Sequence, residues 1–264
     1  SKANDSYMLN LIVNEDHQDT YTEWVTTITT NHPQVKSIYV SITGKNSENP
    51  SNYNCNHLWG ESTIIEKIGA LSFQISPQSF FQTNSKQATL LYDTVKKCIE
   101  ITRPKAVLDL YCGTGTIGLY IADLVDSVIG VEEIPAAIED AKKNANLNSI
   151  SNCSFKVGCV KNILKFESLP ADCIIIDPPR AGMVPKALKR ILDINSPQLI
   201  YVSCNPTTLC RDLQVICDAG YEVSLFQPID MFPNTFHCEC VVNLVKKIAT
   251  TYNSIFLIQQ KNKL

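Results

Sequence analysis

The stretch AVLDLYCGTGTIG, residues 106–118, joins a short apolar run to a glycine-rich turn. The apolar run predicts a buried strand, and the spacing of Gly113, Gly115 and Gly118 predicts a turn that opens a helix. Glycines in such a turn let backbone N–H groups approach a ligand at the carboxyl edge of a parallel sheet. This stretch therefore predicts an α/β domain with a ligand site at its first strand.

Six further apolar runs rich in β-branched residues follow, at 127–133, 153–160, 171–179, 198–204, 222–230 and 238–245. Helical patterns separate most of them, such as 135–148, which begins with proline, and 206–220, which ends with glycine. This alternation predicts a doubly wound sheet of seven strands. Only residues 231–237 separate the last two runs, too few for a helical crossover, so we predict that the final strand is antiparallel to its neighbour.

The upstream residues predict a smaller α+β unit. It comprises a strand at 7–15, an amphipathic helix at 19–31, a strand at 37–44 and a hairpin through 58–75. A helix over 85–101 leads into the main sheet. The predicted organisation is a small subdomain over 1–75, the main domain over 76–247 and a C-terminal tail over 248–264. Because the chain starts with serine rather than methionine, we also expect further sequence upstream.

Composition sets broad limits on location and partners. A chain of 264 residues that is 44% hydrophobic can bury a sizeable core. It contains no apolar run of about 18 residues that would span a membrane and no apolar signal-peptide segment. We therefore expect a soluble cytoplasmic protein. The net charge of −3 does not indicate the basic surface common in nucleic-acid-binding proteins.

The chain has eleven cysteines, scattered through the predicted strands and helices. Without a secretory segment this distribution favours small buried side chains over disulfides, and we expect most of the cysteines to be buried. The spacing of Cys238 and Cys240, and that of Cys153 and Cys159, does not match the CxxC pairs of zinc and iron–sulfur sites. No metal site is expected.

Two strand ends carry acidic residues. Glu132 ends the second strand of the main sheet, where a carboxylate can accept hydrogen bonds from both hydroxyls of a ribose. With the glycine turn it predicts an adenosine-bearing cofactor, the alternative being an unrelated surface glutamate. Asp177-Pro178-Pro179-Arg180 ends the fourth strand, where the prolines fix an extended backbone and hold Asp177 toward the same pocket. The alternative there is a stiff turn without other function.

The segment SCNPTT, residues 203–208, places a thiol between the fifth strand and a helix that begins near Pro206. Amide dipoles at that position favour a thiolate, so Cys204 is a candidate nucleophile, with a buried structural cysteine as the alternative. Glu239 begins the antiparallel last strand, which places it at the same edge as a candidate general base. The alternative for Glu239 is a solvated side chain. His237 is interpreted as a structural hydrogen-bonding residue.

Taken together, these motifs resemble the S-adenosylmethionine-dependent RNA uracil-C5 methyltransferases. The matching motifs are SPQSFFQTN (76–84), DLYCGTGTIGL (109–119), Glu132, DPPRAG (177–182), SCNPTT (203–208) and DMFPNTFHCE (230–239), in order over about residues 60–245. The resemblance implies the seven-stranded class I methyltransferase fold, with Cys204 as nucleophile and Glu239 as base. It also implies that S-adenosylmethionine contacts Gln82, Tyr111, Gly113, Glu132 and Asp177.

The same resemblance implies a reaction and a partner. A methyl group would pass to C5 of a uridine in RNA through a covalent bond between Cys204 and C6 of the base, and Phe80 or Phe81 would stack on a splayed base. The SFFQTN segment is more like the ribosomal-RNA branch of the family than the transfer-RNA branch. No obligate protein partner is expected. Many family members carry an upstream β-barrel RNA-binding domain, and some a four-cysteine iron–sulfur site; this sequence contains neither.

Three other functions share some of these features. Enzymes that methylate amino groups of adenine or glutamine follow DPP with an aromatic residue, whereas Arg180 stands here. RNA cytosine-C5 methyltransferases place Pro-Cys after the fourth strand, whereas this chain has Pro178-Pro179. A non-catalytic cofactor-binding or RNA-scaffold protein would not need Cys204 together with Glu239.

Overall fold

A computed structural model describes the chain at residue 1 and over residues 4–43, 53–169 and 171–247. The predicted C-terminal tail lies outside these residues. The first elements are β1 (Tyr7–Val13), α1 (Gln18–Asn31), β2 (Val35–Ile42) and β3 (Asn54–Gly60). β1 and β2 pair in parallel, and β3 pairs antiparallel to β2 in a three-stranded sheet. The strands predicted near residues 7 and 37 and the helix between them are confirmed.

The predicted hairpin begins later than expected. It consists of β4 (Ile64–Ile68) and β5 (Leu71–Ile75), whereas the residues before it extend the first sheet as β3. Gly60 explains the difference, because its φ is +82° and a Cβ there would lie 2.2 Å from the carbonyl oxygen of Lys36. Glycine lets β3 stay close to β2 up to its last residue and then turn away. The predicted start at residue 58 was therefore wrong.

The remaining elements form the main sheet and its covering helices. They are α2 (Ser85–Thr102), β6 (Ala106–Leu110), α3 (Thr116–Tyr120), β7 (Ser127–Glu132), α4 (Pro135–Leu147), β8 (Cys153–Val157), α5 (Val160–Phe166), β9 (Cys173–Ile176), α6 (Pro185–Ile194), β10 (Gln198–Ser203), α7 (Pro206–Asp218), β11 (Tyr221–Ile229) and β12 (Glu239–Lys246). The strand order is β11-β12-β10-β9-β6-β7-β8. β12 is antiparallel to both of its neighbours. The predicted seven-stranded sheet with an antiparallel last strand is confirmed.

Alternate residues of the central strands supply two separate cores. In β9, Cys173 and Ile175 pack into the core that includes α2, whereas Ile174 and Ile176 pack into the core that includes α6 and α7. All four side chains are fully buried. A parallel strand covered by helices on both faces needs apolar residues at every position, which explains its continuous apolar run.

The strand order reverses between β6 and β9, because the chain first moves outward to β7 and β8 and then returns to pair β9 with β6. Such a reversal leaves a crevice at the carboxyl ends of the strands, where α/β proteins bind ligands. Several strands end earlier than predicted. Asp177 and Cys204 each lie one residue beyond the end of a strand, because the backbone leaves the sheet where it enters the crevice.

The β4–β5 hairpin is joined to the main sheet's own helices. The backbone N–H of Ser72 donates to Asn148 Oδ1 at 2.9 Å, and that of Gln74 donates to Asn144 Oδ1 at 2.7 Å. These bonds satisfy backbone groups on the free edge of a two-stranded sheet. The division of the chain at residue 75 stays a prediction.

All eleven cysteines are free thiols. Only Cys98, Cys112, Cys173 and Cys240 are fully buried, so the expectation that most would be buried was wrong. Several of the others, Cys204 among them, lie at strand ends or on helix surfaces rather than in strand interiors. No helix within the described residues is long and apolar enough to cross a membrane.

Candidate active site

Most of the residues that the sequence singled out lie at the carboxyl edge of the main sheet. Tyr111 and Gly113 follow β6, and Glu132 ends β7. Asp177 and Cys204 follow β9 and β10 on the other side of the reversal. Because β12 runs in the opposite direction, its first residue, Glu239, also lies at this edge. Only Gln82 comes from outside the sheet, in the loop before α2.

The glycine turn after β6 is shaped for close approach. Tyr111, Gly113 and Gly115 have φ values of 64°, 53° and 78°, in the left-handed region. A Cβ on Gly115 would lie 2.9 Å from the ring of Phe155, so the turn is pressed against β8 there. A Cβ on Gly113 would have no atom of the described residues within 4 Å. The backbone at Gly113 is therefore uncovered on that side by the described part of the chain, and its role in cofactor binding stays a prediction.

Asp109 stabilises the glycine turn through a hydrogen bond. Its side chain is fully buried, and its Oδ2 accepts a hydrogen bond of 3.1 Å from the N–H of Gly118. Burial raises the pKa of Asp109 to about 7; the Gly118 N–H opposes this shift, and the charge of Glu132 adds to it. A carboxylate inside an apolar strand is unusual, and this feature of the sequence indicates a structural role for Asp109.

Glu132 connects the turn to α4. Its Oε1 accepts from the N–H groups of Glu133 at 2.7 Å and Ile134 at 3.0 Å, and its Oε2 accepts from Gly113 N–H at 3.2 Å. A carboxylate has about four acceptor sites, so these bonds leave room for one further donor. The sequence predicted hydrogen bonds from both ribose hydroxyls.

Two loops that carry candidate residues are tied into one unit. The side-chain amide of Asn205 donates to the carbonyl of Arg180 at 3.0 Å, and Arg211 donates to the carbonyl of Ala181 at 3.2 Å. Gly182 makes this approach possible, because its φ is +74° and a Cβ there would lie 2.6 Å from Arg211 Nη2. The loop after β9 is therefore hydrogen-bonded both to the residue that caps α7 and to α7 itself.

Cys204 is half-buried just before α7, whose first turn is capped by the Asn205 side chain. The sequence predicted that amide dipoles would favour a thiolate. The pKa of Cys204 is instead raised, first by burial and then by the charges of Glu239 and Asp177, while its backbone hydrogen bond and Arg180 lower it. Nearby carboxylates and burial thus outweigh the helix start.

Glu239 is brought beside Cys204 by strand register. Ser203 pairs with Cys240, so Cys204 and Glu239 are the next residues toward the open end of the β10–β12 pair. Glu239 is only 5% exposed, which excludes the alternative of a solvated side chain, and burial raises its pKa. Burial, followed by the charges of Glu239 and Asp109, raises the pKa of Asp177 well above its usual value. Such a cluster of acids favours a ligand that carries positive charge.

The loop that carries Gln82 is anchored at its beginning by a buried carboxylate. The hydroxyls of Ser76 and Ser79 both donate to Asp140 Oδ2 at 2.6 Å. Asp140 lies on α4 and is 4% exposed. The beginning of the Gln82 loop is therefore hydrogen-bonded to α4, the helix that follows β7. Asp140 could not be identified from the sequence, because a single carboxylate in a helix is most often exposed to solvent.

The other end of that loop is held by Asn84. Its side chain caps α2 by accepting from the Gln87 N–H, and its amide donates to the carbonyl of Met231 at 3.1 Å. An asparagine directly before a helix is a recognisable cap, so this signal was present in the sequence. Gln82 is half-buried, and its side chain makes no hydrogen bond within the described part of the chain.

Tyr111 and His237 are the remaining candidates. Burial raises the pKa of Tyr111 to about 12, so its hydroxyl is a neutral donor at the crevice. The imidazole of His237 lies 4.3 Å from the ring of Phe236 and 6.0 Å from that of Phe232, centre to centre. The hydrogen bond of His237 comes from its backbone N–H to Thr235.

Comparisons with known proteins identify the family of this chain. Residues 5–247 match a family model described as tRNA (uracil-5-)-methyltransferase. An uncharacterized RNA methyltransferase of Oceanobacillus iheyensis is 41% identical over 225 residues, covering 84% of this chain and 49% of that protein. Another, of Clostridium acetobutylicum, is 49% identical over 191 residues, covering 72% and 42%. The chain spans about half the length of the curated relatives it matches.

A solved structure shows the same fold. The Pyrococcus abyssi tRNA (uracil-54, C5)-methyltransferase, in complex with S-adenosyl-L-homocysteine, is 33% identical with a TM-score of 0.74. The similarity covers 90% of this chain and 56% of that one. The matched region extends beyond the main sheet into the N-terminal sheet, because residues 76–247 alone make up well under 90% of the chain.

Proposed function

Because the chain belongs to the tRNA (uracil-5-)-methyltransferase family, we propose that it transfers a methyl group from S-adenosylmethionine to C5 of a uridine in RNA. The observation that supports this most strongly is the placement of Cys204 beside Glu239 at the open end of the β10–β12 pair. A thiol and a buried carboxyl group at one point of the crevice match the two tasks of the reaction: activating the ring and removing a proton.

In this proposal Cys204 is the nucleophile. Its thiolate adds to C6 of the uracil ring, forming an S–C6 bond and moving the electrons of the C5–C6 double bond into an enolate. The C5 carbon, not nucleophilic in free uracil, then bonds to the methyl group that S-adenosylmethionine would supply as an electrophile. The bond between that methyl group and the sulfonium sulfur would break, its electrons staying on sulfur, and S-adenosylhomocysteine would leave. A sulfonium cation bound near Asp177 and Glu239 would favour their ionised forms, because a nearby positive charge lowers the pKa of a carboxyl group.

Glu239 acts as the base in the second half of the reaction. Its carboxylate removes the proton from C5, and the electrons of that C–H bond restore the C5–C6 double bond as the S–C6 bond breaks. Cys204 leaves as a thiolate and is ready for another turnover. A carboxylate with a raised pKa is a stronger base than an exposed one, which suits this step.

The donor set around Gly113 fits an adenosine-bearing ligand. The described part of the chain leaves the backbone at Gly113 uncovered on one side, and Glu132 has one acceptor site left. We expect Glu132→Ala to weaken S-adenosylmethionine binding by about 1.5–3 kcal/mol, the scale of hydrogen bonds that involve a charged group. Isothermal titration calorimetry measures this change.

Glu132 also satisfies three backbone N–H groups, so its loss will lower stability as well. Thermal unfolding without ligand, measured in parallel, separates the two effects. Glu133→Ala is the matched control, because Glu133 is adjacent and exposed and its side chain accepts none of these bonds. Unchanged affinity in Glu132→Ala would remove Glu132 from the binding site, and preferential binding of a nicotinamide cofactor would overturn the enzyme class.

The raised pKa of Cys204 predicts a pH dependence. The thiol dominates below its pKa, so the reactive thiolate should increase about tenfold per pH unit until Cys204 titrates. We expect the rate of methyl transfer to rise with pH between about pH 6 and 9. Because Arg180 lowers the pKa of Cys204, Arg180→Gln should shift the profile toward higher pH. A flat profile for the wild type over this range would contradict a raised pKa at the nucleophile.

The choice of RNA is the finer part of the proposal. The SFFQTN segment favours ribosomal RNA, whereas the family model and the P. abyssi structure are both named for transfer RNA. The test is incubation of the protein and S-adenosylmethionine with ribosomal and transfer RNA, separately, from cells that lack the corresponding gene. Mass spectrometry of the nucleosides should find 5-methyluridine in one of them. Cofactor binding without product in either RNA would favour a non-catalytic scaffold.

A further inference from the structure

Phe236 is exposed at the mouth of the crevice. It lies in the loop between β11 and β12, three residues before Glu239, and its side chain is 85% exposed. A large apolar ring in contact with water is common on protein surfaces and carries no meaning by itself. Its surroundings distinguish it.

A cation and an aromatic ring flank Phe236. The guanidinium carbon of Arg180 lies 5.9 Å from the centre of the Phe236 ring, and the ring of His237 lies 4.3 Å from it at an interplanar angle of 37°. Arg180 belongs to the loop after β9, three residues beyond Asp177. The Phe236 ring therefore lies between the loop after β9, which carries Asp177, and the loop that leads into Glu239 at the start of β12. A positive charge lies beside its exposed aromatic face.

A second exposed ring stands on the neighbouring loop. Phe80, which the sequence nominated as a stacking residue, is 76% exposed, whereas Phe81 packs against Phe73 in the core. The loop of Phe80 is tied to that of Phe236 by the hydrogen bond from Asn84 to the carbonyl of Met231. The mouth is thus lined by separate aromatic groups on connected loops.

Extruding a uridine from RNA leaves the base beside it without a stacking partner. An aromatic side chain near a cation can replace that partner, because the ring stacks on the base and the cation attracts the adjacent phosphate. We propose that Phe236, with Arg180, forms a stacking site for the nucleobase next to the target uridine. This inference rests on the proposed function and adds to it the contact that would hold the flanking nucleotide.

Phe166 provides a matched control within the same chain. Its side chain is 75% exposed, and the amino group of Lys165 lies 4.8 Å from its ring centre. Phe166 ends α5, and a helix that connects parallel strands runs back toward their amino ends. Phe166 therefore lies at the edge of the sheet away from the crevice. Like Phe236 it is an exposed phenylalanine beside a cation, but it is not next to the crevice.

The test uses the whole chain with S-adenosyl-L-homocysteine and two oligoribonucleotides, each with a single uridine and with 2-aminopurine on its 5′ or 3′ side. Fluorescence of 2-aminopurine falls when the base stacks. Wild type should quench one of the two probes, and Phe236→Ala should lose the quenching and bind that probe about tenfold more weakly. Phe236→Trp and Phe166→Ala should behave as wild type.

The inference is overturned if Phe236→Ala keeps wild-type quenching and affinity, if wild type quenches neither probe, or if Phe166→Ala loses as much as Phe236→Ala. Formation of 5-methyluridine by wild type, measured on ribosomal and transfer RNA, reports separately on the proposed function. Quenching that depends on Phe236 without any 5-methyluridine would support the stacking site and reject the reaction. Methyl transfer with unchanged kinetics in Phe236→Ala would support the reaction and reject the stacking site.

Discussion

Replacing Cys204 by alanine should abolish both methyl transfer and covalent attachment to RNA. Without the thiol no bond forms at C6, so C5 is never activated, and the rate should fall by about 10⁴-fold or more, the scale of losing a catalytic nucleophile. The measurements are incorporation of labelled methyl groups into RNA and the appearance of a slowly migrating protein–RNA band on a denaturing gel. S-adenosylmethionine affinity should change little, since the proposed cofactor contacts are elsewhere.

Cys210→Ala is the control for this experiment. Cys210 is an exposed thiol on α7, about one turn after the helix begins at Pro206. That variant should keep wild-type rates and adducts, which shows that the loss is not a general effect of removing a thiol from this region. Full activity in Cys204→Ala would reject the covalent mechanism and leave Cys204 as a half-buried structural cysteine.

Replacing Glu239 by glutamine should stop the reaction at a later point. The thiolate can still add to C6 and C5 can still receive the methyl group, but no carboxylate remains to take the C5 proton. Turnover should fall by about 10²- to 10⁴-fold, the usual contribution of a general base. The methylated adduct should therefore accumulate as protein covalently bound to RNA when S-adenosylmethionine is present.

The two substitutions are distinguished on one gel. Glu239→Gln should give the slowly migrating band, and Cys204→Ala should not. Glu222→Gln is the matched control, because Glu222 is an exposed carboxylate on the neighbouring strand β11. If Glu239→Gln forms no adduct while Cys204 is intact, Glu239 acts before or during thiolate addition, and the assigned order of steps is wrong.

Much of the fold was accessible from the sequence because its signals are local. The central strands are short apolar runs, and the helices after them begin at prolines, as at Pro135 and Pro206. The short connection between the last two strands predicted the antiparallel β12 from chain length alone. The hairpin before α2 was less predictable, because the end of β3 depends on how closely Gly60 approaches Lys36, a contact between distant residues.

The candidate residues themselves could be predicted from the sequence, but their environments could not. Glycines, a carboxylate at a strand end and a cysteine before Asn-Pro are visible as motifs. Their environment is not, since Cys204 was expected to have a lowered pKa and has a raised one. Burial is the main cause, and the charges of Glu239 and Asp177 add to it. These two carboxyl groups are 35 and 27 residues away in the sequence and come close only through the pairing of β10 with β12 and β9.

The sequence by itself determined which elements form and which residue types stand at their ends, because hydrophobic period, glycine and proline act over a few residues. Only the tertiary structure decided which of those ends meet. Strand order and register bring Cys204 to Glu239 and press Arg180 against the loop of Asn205. They also leave Phe236 exposed beside Arg180. Each of these contacts joins residues far apart in the chain, so packing of the whole sheet was needed to form it.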